Sequence, residues 1–271
     1  MLKQRVWTAL VLIVIMVVAL FRLPTVGIAV ILGIFVVLGA WEWATLSGLS
    51  KWSRGLYIVS IVLTGLVLYS MPILPVLILS VSWWLLTLYA LRRDTHIHLG
   101  MFNPVWGTAI SGFFFLLPAW NAAIYLYATD PRRPAILLFL FILVWVADSG
   151  AYFVGRVWGK TKLAPRISPG KSLEGLLAGV LAVIILAWFA GVFVWEFSGL
   201  ALFAWLIIAV VTALFSVLGD LVESKLKRVA GVKDSGTLLP GHGGVLDRID
   251  GFTAAAPVFG LGSVLLFGLV S

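Results

Sequence analysis

Residues 173–195 read LEGLLAGVLAVIILAWFAGVFVW, and after Glu174 none of them is charged. A helix of about 20 such residues, rising about 1.5 Å each, crosses the roughly 30 Å hydrocarbon core of a bilayer. Segments of this kind recur along the chain. We count nine, running from Val6 to Phe21, Val26 to Leu46, Leu56 to Met71, Ile73 to Leu91, Val105 to Ala128, Pro134 to Gly155, Leu173 to Trp195, Leu200 to Leu221 and Gly251 to Val270. The third is short, and Pro72 and Pro75 crowd the turn after it. Of 271 residues 62% are hydrophobic and 11% charged, which excludes a soluble globular fold. The expected class is an all-α polytopic membrane protein. With no Cys in the chain, disulfides, thiolate metal sites and Cys nucleophiles are excluded as well.

The cations test the division into spans, because cytoplasmic loops hold the excess of Lys and Arg. The N-terminus and the even-numbered loops carry 16 of them, and the opposite side only Arg22, Arg132 and Arg133. This places the N-terminus in the cytoplasm and the C-terminus outside. The first segment lacks a small-residue cleavage site and is followed by Arg22, Leu23 and Pro24, so it is read as a retained span. The longest connections, Arg156 to Ser172 and Lys225 to Asp250, are both cytoplasmic on this reading and rich in Gly and cations. We therefore expect one membrane domain in which residues 1–130 form scaffold, dimer-forming or lipid-facing helices. Residues 131–271 carry the site.

Eight of the eleven carboxylates follow residue 140. A carboxylate at membrane depth costs on the order of 3 kcal/mol and is kept where it faces a partner, water or an ion. Asp148, Asp220 and Glu42 are the candidates by depth. Asp220, Glu223, Ser224 and Lys227 fall at i, i+3, i+4 and i+7, so a continuous helix sets them on one stripe. Next comes a glycine-rich loop ending in Pro240, Gly241, His242, Gly243 and Gly244, then Asp247, Arg248 and Asp250 at the start of the last span. Glycines let backbone N–H groups approach a ligand, and a helix N-terminus favours an anion. The other connection supplies Arg156, Lys160, Lys162, Arg166, Lys171, Ser172 and Glu174. Taken alone, Ser172 and Glu174 read as an N-cap and a first-turn acid, and Gly175 with Gly179 as a close-packing pair.

Carboxylates beside a glycine-rich turn and fixed cations suit phosphoryl or nucleotidyl transfer, with oxygen ligands for Mg²⁺ and positive charge for a polyphosphate. There is no Walker-type G-x-x-x-x-G-K-S/T loop after a strand, so the chain is not read as a P-loop enzyme. Missing bases matter little if the nucleophile is a phosphate monoester, whose second pKa is about 6. Ser224, Lys227, Arg228, Lys233, Asp234, Pro240, Gly241, His242, Gly243, Gly244, Asp247, Arg248 and Asp250 together resemble the signature of the phosphatidate cytidylyltransferase (CDP-diacylglycerol synthase) family over 27 positions. The resemblance extends to Leu218, Gly219, Asp220 and Glu223, to Trp145, Asp148, Ala151, Tyr152 and Gly155, to Ser168, Pro169, Lys171 and Glu174, and to Trp41, Glu42 and Trp43. Ser172 stands where many members have Thr.

The resemblance implies transfer of a cytidylyl group from CTP to phosphatidic acid, giving CDP-diacylglycerol and pyrophosphate, at the cytoplasmic face of a bacterial-type inner membrane. It implies Mg²⁺, with a second cation possible, and a homodimer among membrane lipids, with no nucleic acid partner. Asp220 and Asp247 are assigned to metal. Lys227, Arg228, Lys233, His242 and the Gly243-Gly244 backbone are assigned to the triphosphate, with Asp234, Arg248 and Asp250 orienting them. Ser224 belongs to the same site. Lys171, Ser172 and Asp148 complete the lipid-phosphate side. A CTP-dependent lipid alcohol kinase is the alternative of similar chemistry, and it needs a base for a neutral hydroxyl. An ion-coupled transporter also buries carboxylates, but near the midplane between repeats.

The orientation has a direct test. In sealed cells, a Cys placed at Ser168 is expected to react only with reagents on the cytoplasmic side, and one at Ser198 only with reagents outside; reversal of the pair would invert the topology.

Overall fold

Inside a bilayer each backbone N–H and C=O must find its partner within the protein, which favours helices for segments as apolar as these. The computed structural model of the chain describes residues 14–93, 105–129, 134–238 and 243–270. Residues 14–22 are helical (α1), followed by α2 (Thr25–Leu46), α3 (Lys51–Tyr69), α4 (Ile73–Arg93), α5 (Val105–Thr129) and α6 (Ala135–Trp158). A short hairpin of β1 (Lys162–Ala164) and β2 (Ser168–Ser172) precedes α7 (Leu173–Phe193), α8 (Gly199–Val229) and α9 (Leu246–Val270). Among the described residues, eight helices, α2 to α9, are long and apolar enough to cross a membrane. The start of the expected first span, residues 6–13, lies outside the described residues.

Beyond shifts such as the start of α3 at Lys51 rather than Leu56, three differences from the sequence reading bear on the site. α8 has 31 residues and continues past Leu221 to Val229, because the polar stripe keeps helical spacing beyond the apolar run. α9 starts at Leu246 rather than Gly251, so Asp247 lies in its first turn. The connection from Arg156 to Ser172 contains the hairpin, in which Lys162 opposes Ser172 and Ala164 opposes Ser168.

α5 and α9 form the interior: 72% and 61% of their apolar windows are buried, against 17–39% for the others. α9 packs on α8 and α5 most extensively and also meets α4, α6 and α2. With little hydrophobic drive between helices in lipid, close approach and polar contacts carry association. Indole and phenol donors reach backbone carbonyls of neighbouring helices: Trp43 to Thr108 at 2.8 Å, Tyr57 to Ala109 at 2.9 Å and Trp205 to Ala187 at 2.9 Å. The α6–α7 pair uses small residues. A Cβ on Gly179 would stand 2.5 Å from the Ala147 carbonyl oxygen, and one on Gly150 would stand 3.2 Å from the Gly179 Cα.

Gly179→Val is accordingly expected to separate α6 from α7 and to cost about 1–3 kcal/mol, the usual penalty of overpacking. Thermal unfolding in detergent checks it; an unchanged midpoint would mean that α6 and α7 do not need this contact.

Candidate active site

The polar stripe anticipated on α8 exists. Ser224 Oγ donates to Asp220 Oδ1 at 3.1 Å, and Lys227 Nζ stands 2.5 Å from Glu223 Oε2, one turn back. Glu223 is fully buried. Two elements close on this stripe. From β2, Lys171 Nζ pairs with Asp220 Oδ2 at 2.5 Å. From the first turn of α9, Asp247 Oδ1 accepts from Lys227 Nζ at 2.6 Å. α8 and α9 approach so closely here that a Cβ on Gly219 would collide with the Asp250 carbonyl oxygen.

Asp247 has further partners. Its Oδ2 accepts from the backbone N–H groups of Gly244 at 2.8 Å and Ser235 at 3.0 Å, and from Ser235 Oγ at 3.0 Å. Gly243 turns the chain into α9 with φ +84°, a conformation side chains disfavour. Beneath the turn lies Glu42 of α2, only 3% exposed. Its Oε1 accepts from Val245 N at 3.0 Å and its Oε2 from Leu246 N at 2.8 Å, and Ser235 Oγ, 3.0 Å from both Glu42 Oε2 and Asp247 Oδ2, shares its one proton between the two carboxylates. A carboxylate from another helix thus supplies acceptors for N–H groups that the N-terminus of α9 leaves unpaired. A Cβ on Gly236 or Gly244 would run into this carboxylate. Glu42 stood out in the sequence by depth and by the family resemblance, neither of which names its partners, and Ser235 did not stand out; nothing local signals a contact across about 200 positions.

The remaining expected residues divide by position. Asp148, on α6, and Asp250 lie within electrostatic reach of Asp220 and Lys171. Asp250 Oδ1 accepts from Gly251 N at 2.8 Å. Arg228 donates from Nε to the Ile167 carbonyl at 3.4 Å and from a terminal nitrogen to the Val232 carbonyl at 3.3 Å, tying α8 to the hairpin. Ser172 caps α7 through Gly175 N at 3.2 Å and Glu174 stands in its first turn, as their spacing alone suggests, while the Glu174 carboxylate accepts from Lys160 N and Thr161 N across the hairpin, which spacing does not encode. Lys233, Asp234 and Arg248 are exposed at the rim. Pro240, Gly241 and His242 lie outside the described residues.

The donor set is hard oxygen. Around Lys171 and Lys227 stand Asp148, Asp220, Glu223, Asp247 and Asp250, an excess of negative charge. Among the described residues no three His or carboxylate groups converge at metal-ligating distance. That suits Mg²⁺, which usually takes one or two carboxylates and completes its shell with waters and substrate phosphates. Asp220, with 30% of its side chain exposed, is open to such a role. Asp247 already accepts from Lys227 and the N–H groups of Ser235 and Gly244 and shares the Ser235 hydroxyl with Glu42, so it has less room than Asp220.

A description of the cytidylyltransferase family matches residues 3–265. Phosphatidate cytidylyltransferase of Pseudomonas aeruginosa is 43% identical over 263 residues, 96% of each chain. That of Haemophilus influenzae is 40% identical over 285 aligned positions, 96% of this chain and 97% of the relative. The Staphylococcus saprophyticus protein of the same name is 47% identical over 137 residues, about half of each chain.

Glu42→Gln tests the clamp, because it keeps the shape but sets an NH₂ group against one of the two backbone donors. Hydrogen bonds to a charged acceptor contribute roughly 1.5–3 kcal/mol each, so stability is expected to fall by about 2 kcal/mol and catalytic turnover with it. A variant with unaltered melting and turnover would show that the clamp is dispensable.

Proposed function

The chain belongs to the cytidylyltransferase family and is a nucleotidyltransferase, and on that premise we propose that it makes CDP-diacylglycerol and pyrophosphate from CTP and phosphatidate at the cytoplasmic face of the inner membrane. The reading is carried by the two Lys–carboxylate pairs, Lys171 with Asp220 and Lys227 with Asp247, which gather β2, α8 and α9 around one acidic site. The curated relatives that share this activity by name span nearly the whole chain.

In this reaction a phosphate oxygen of phosphatidate forms a bond to the α-phosphorus of CTP, and the bond from that phosphorus to the β-phosphate bridge breaks. The bridging oxygen leaves with the electron pair, as part of pyrophosphate. The attacking phosphate is already ionised near neutral pH, so no residue has to remove a proton from it. This frees the site to act by positioning and charge. Lys171 lies on the β2 side and is assigned to the lipid phosphate, with Asp148 beside it. Lys227 and Arg228 follow along α8, and with Lys233 and the turn at Gly243 and Gly244 they are assigned to the triphosphate, which would take the Gly244 N–H from Asp247. Both lysines are held on carboxylates, contacts that an incoming phosphate can replace. Asp220 and Asp247 are the proposed holders of Mg²⁺, which when bound neutralises charge on the phosphates and supplies Lewis acidity. Ser224 orients Asp220; Asp234, Arg248 and Asp250 border the site.

CTP labelled separately at its α- and γ-phosphates decides the reaction class. Label from the α position is expected in the lipid product, whereas γ label in the lipid would replace the proposal with a CTP-dependent lipid kinase. Asp220→Asn and Asp247→Asn are expected to lower turnover at least about a hundredfold, roughly 3 kcal/mol, because each removes charge that acts in the transition state. Melting should change little for Asp220→Asn, whose side chain is 30% exposed; Asp247→Asn sets an NH₂ group against Lys227 or against the backbone donors of Ser235 and Gly244 and is expected to lower it, so its turnover is compared at a temperature at which it is folded. Near-normal activity of either variant at limiting Mg²⁺ would remove that residue from the metal site.

A further inference from the structure

No step of cytidylyl transfer uses Glu223, a carboxylate of α8 that is 0% exposed. It lies one turn before Lys227, the favourable order for an i, i+4 pair of acid and base. Lys227 Nζ stands between two acids, 2.5 Å from Glu223 Oε2 and 2.6 Å from Asp247 Oδ1. The three side chains differ in access: none of Glu223 is exposed, against 9% of Asp247 and 11% of Lys227. Asp250 and Asp247 lie within electrostatic reach of Glu223, so its charge adds to an excess of acids. A carboxylate in such a place is costly and is kept where it faces a partner.

Asp247, assigned to Mg²⁺, and Lys227, assigned to the triphosphate, are paired with each other. Asp247 has to release Lys227 before its Oδ1 can take a cation. A lysine that lost its counter-charge at that moment would swing on a flexible four-carbon stem. Glu223 prevents this. It keeps a carboxylate on Lys227 when Asp247 departs, and its place on the same helix fixes the direction and distance of the contact. Burial also keeps Glu223 out of the competition for metal, since Mg²⁺ gives up its waters reluctantly and both Glu223 oxygens are buried.

We propose that Glu223 is a positioning residue that acts through Lys227. It holds the ammonium group at the seam of α8 and α9 while Asp247 exchanges that group for a cation, so that the triphosphate meets a lysine already in place. The inference rests on the reading above for the roles of Asp247 and Lys227. With Glu223 neutralised, Asp247 is the one acid of this trio left to Lys227, and a cation has to displace Lys227 in order to bind.

The test uses the purified full chain in detergent and Mn²⁺ as the probe, with free Mn²⁺ read by electron paramagnetic resonance. Glu223→Gln keeps the shape and loses the charge, and is expected to weaken Mn²⁺ binding about fivefold, because Lys227 then stays on Asp247. Lys227→Met removes the competitor and is expected to tighten Mn²⁺ binding. In the Lys227→Met background, Glu223→Gln should change Mn²⁺ binding by less than about twofold. A loss of equal size in both backgrounds would mean that Glu223 acts on the cation by its charge alone, and unaltered binding in Glu223→Gln would mean that Lys227 does not need it; either result overturns the proposal. Should Glu223→Gln fail to fold by itself, the double variant, which buries no orphan charge, is compared with Lys227→Met and the same twofold bound decides.

At saturating Mg²⁺, Glu223→Gln is also expected to raise KM for CTP about fivefold, since Lys227 must then be ordered as the nucleotide binds, and to leave KM for phosphatidate unchanged. Equal rises in both would make Glu223 a support of the fold. Asp247→Asn separates the inference from the reading beneath it. If this variant binds Mn²⁺ like the wild type, the metal assignment falls and the exchange falls with it. If it loses Mn²⁺ while Glu223→Gln does not, the assignment stands and only the positioning role is removed.

Discussion

The acidic site hangs on one carboxylate that lies underneath it. Glu42 accepts the N–H groups of Val245 and Leu246 and the hydroxyl of Ser235, and so joins α2 to the start of α9 and to the glycine-rich loop. With that corner held, Ser235 and Gly244 can point their N–H groups at Asp247, and Asp247 can hold Lys227 against α8. A buried charge costs several kcal/mol unless it is met by donors, and here the donors are those a helix start leaves over. Gly236 and Gly244 are glycines because their missing Cβ atoms leave room for the carboxylate.

The spans and the stripe on α8 were legible because each is a periodic, local property of the chain. Hydropathy is summed within one segment, and Asp220, Glu223, Ser224 and Lys227 meet because a helix repeats every 3.6 residues. Ser172 and Glu174 likewise declared themselves by their offset from the start of α7. The clamp at Glu42 did not, since its partners lie 193 to 204 positions away and no spacing encodes them. The hairpin between α6 and α7 was hidden for another reason. Its strands have three and five residues and are short, cationic and glycine-containing, without the alternation that marks a half-buried strand. Asp247 could be read as a carboxylate at a helix start, but not as one already met by Lys227 and two backbone N–H groups.

Two packing devices divide the molecule. Trp43 of α2 and Tyr57 of α3 bond to carbonyls of α5, and Trp205 of α8 to one of α7, which fixes rotation about each helix axis as well as distance. Between α6 and α7 the backbones nearly touch through Gly150, Gly175 and Gly179, and there backbone shape sets the alignment. The second device bears directly on the site. Lys171 reaches Asp220 from the strand that runs straight into α7, and Asp148 comes from α6, so the alignment of these two helices sets the spacing of the groups assigned to the lipid phosphate.

The unbroken length of α8 has a consequence of its own. Its 31 residues correspond to roughly 46 Å, about half as long again as the hydrocarbon core. The acids and lysines near its end therefore sit on a rigid rod, and their height above the lipid is set by how far that rod is immersed. Hydrophobic mismatch changes immersion and tilt at a cost of fractions of a kcal/mol per Å. Bilayer thickness thus sets the level at which a water-soluble nucleotide and a membrane-bound phosphate meet. An enzyme built this way is tuned to the thickness of the membrane whose lipids it helps to make.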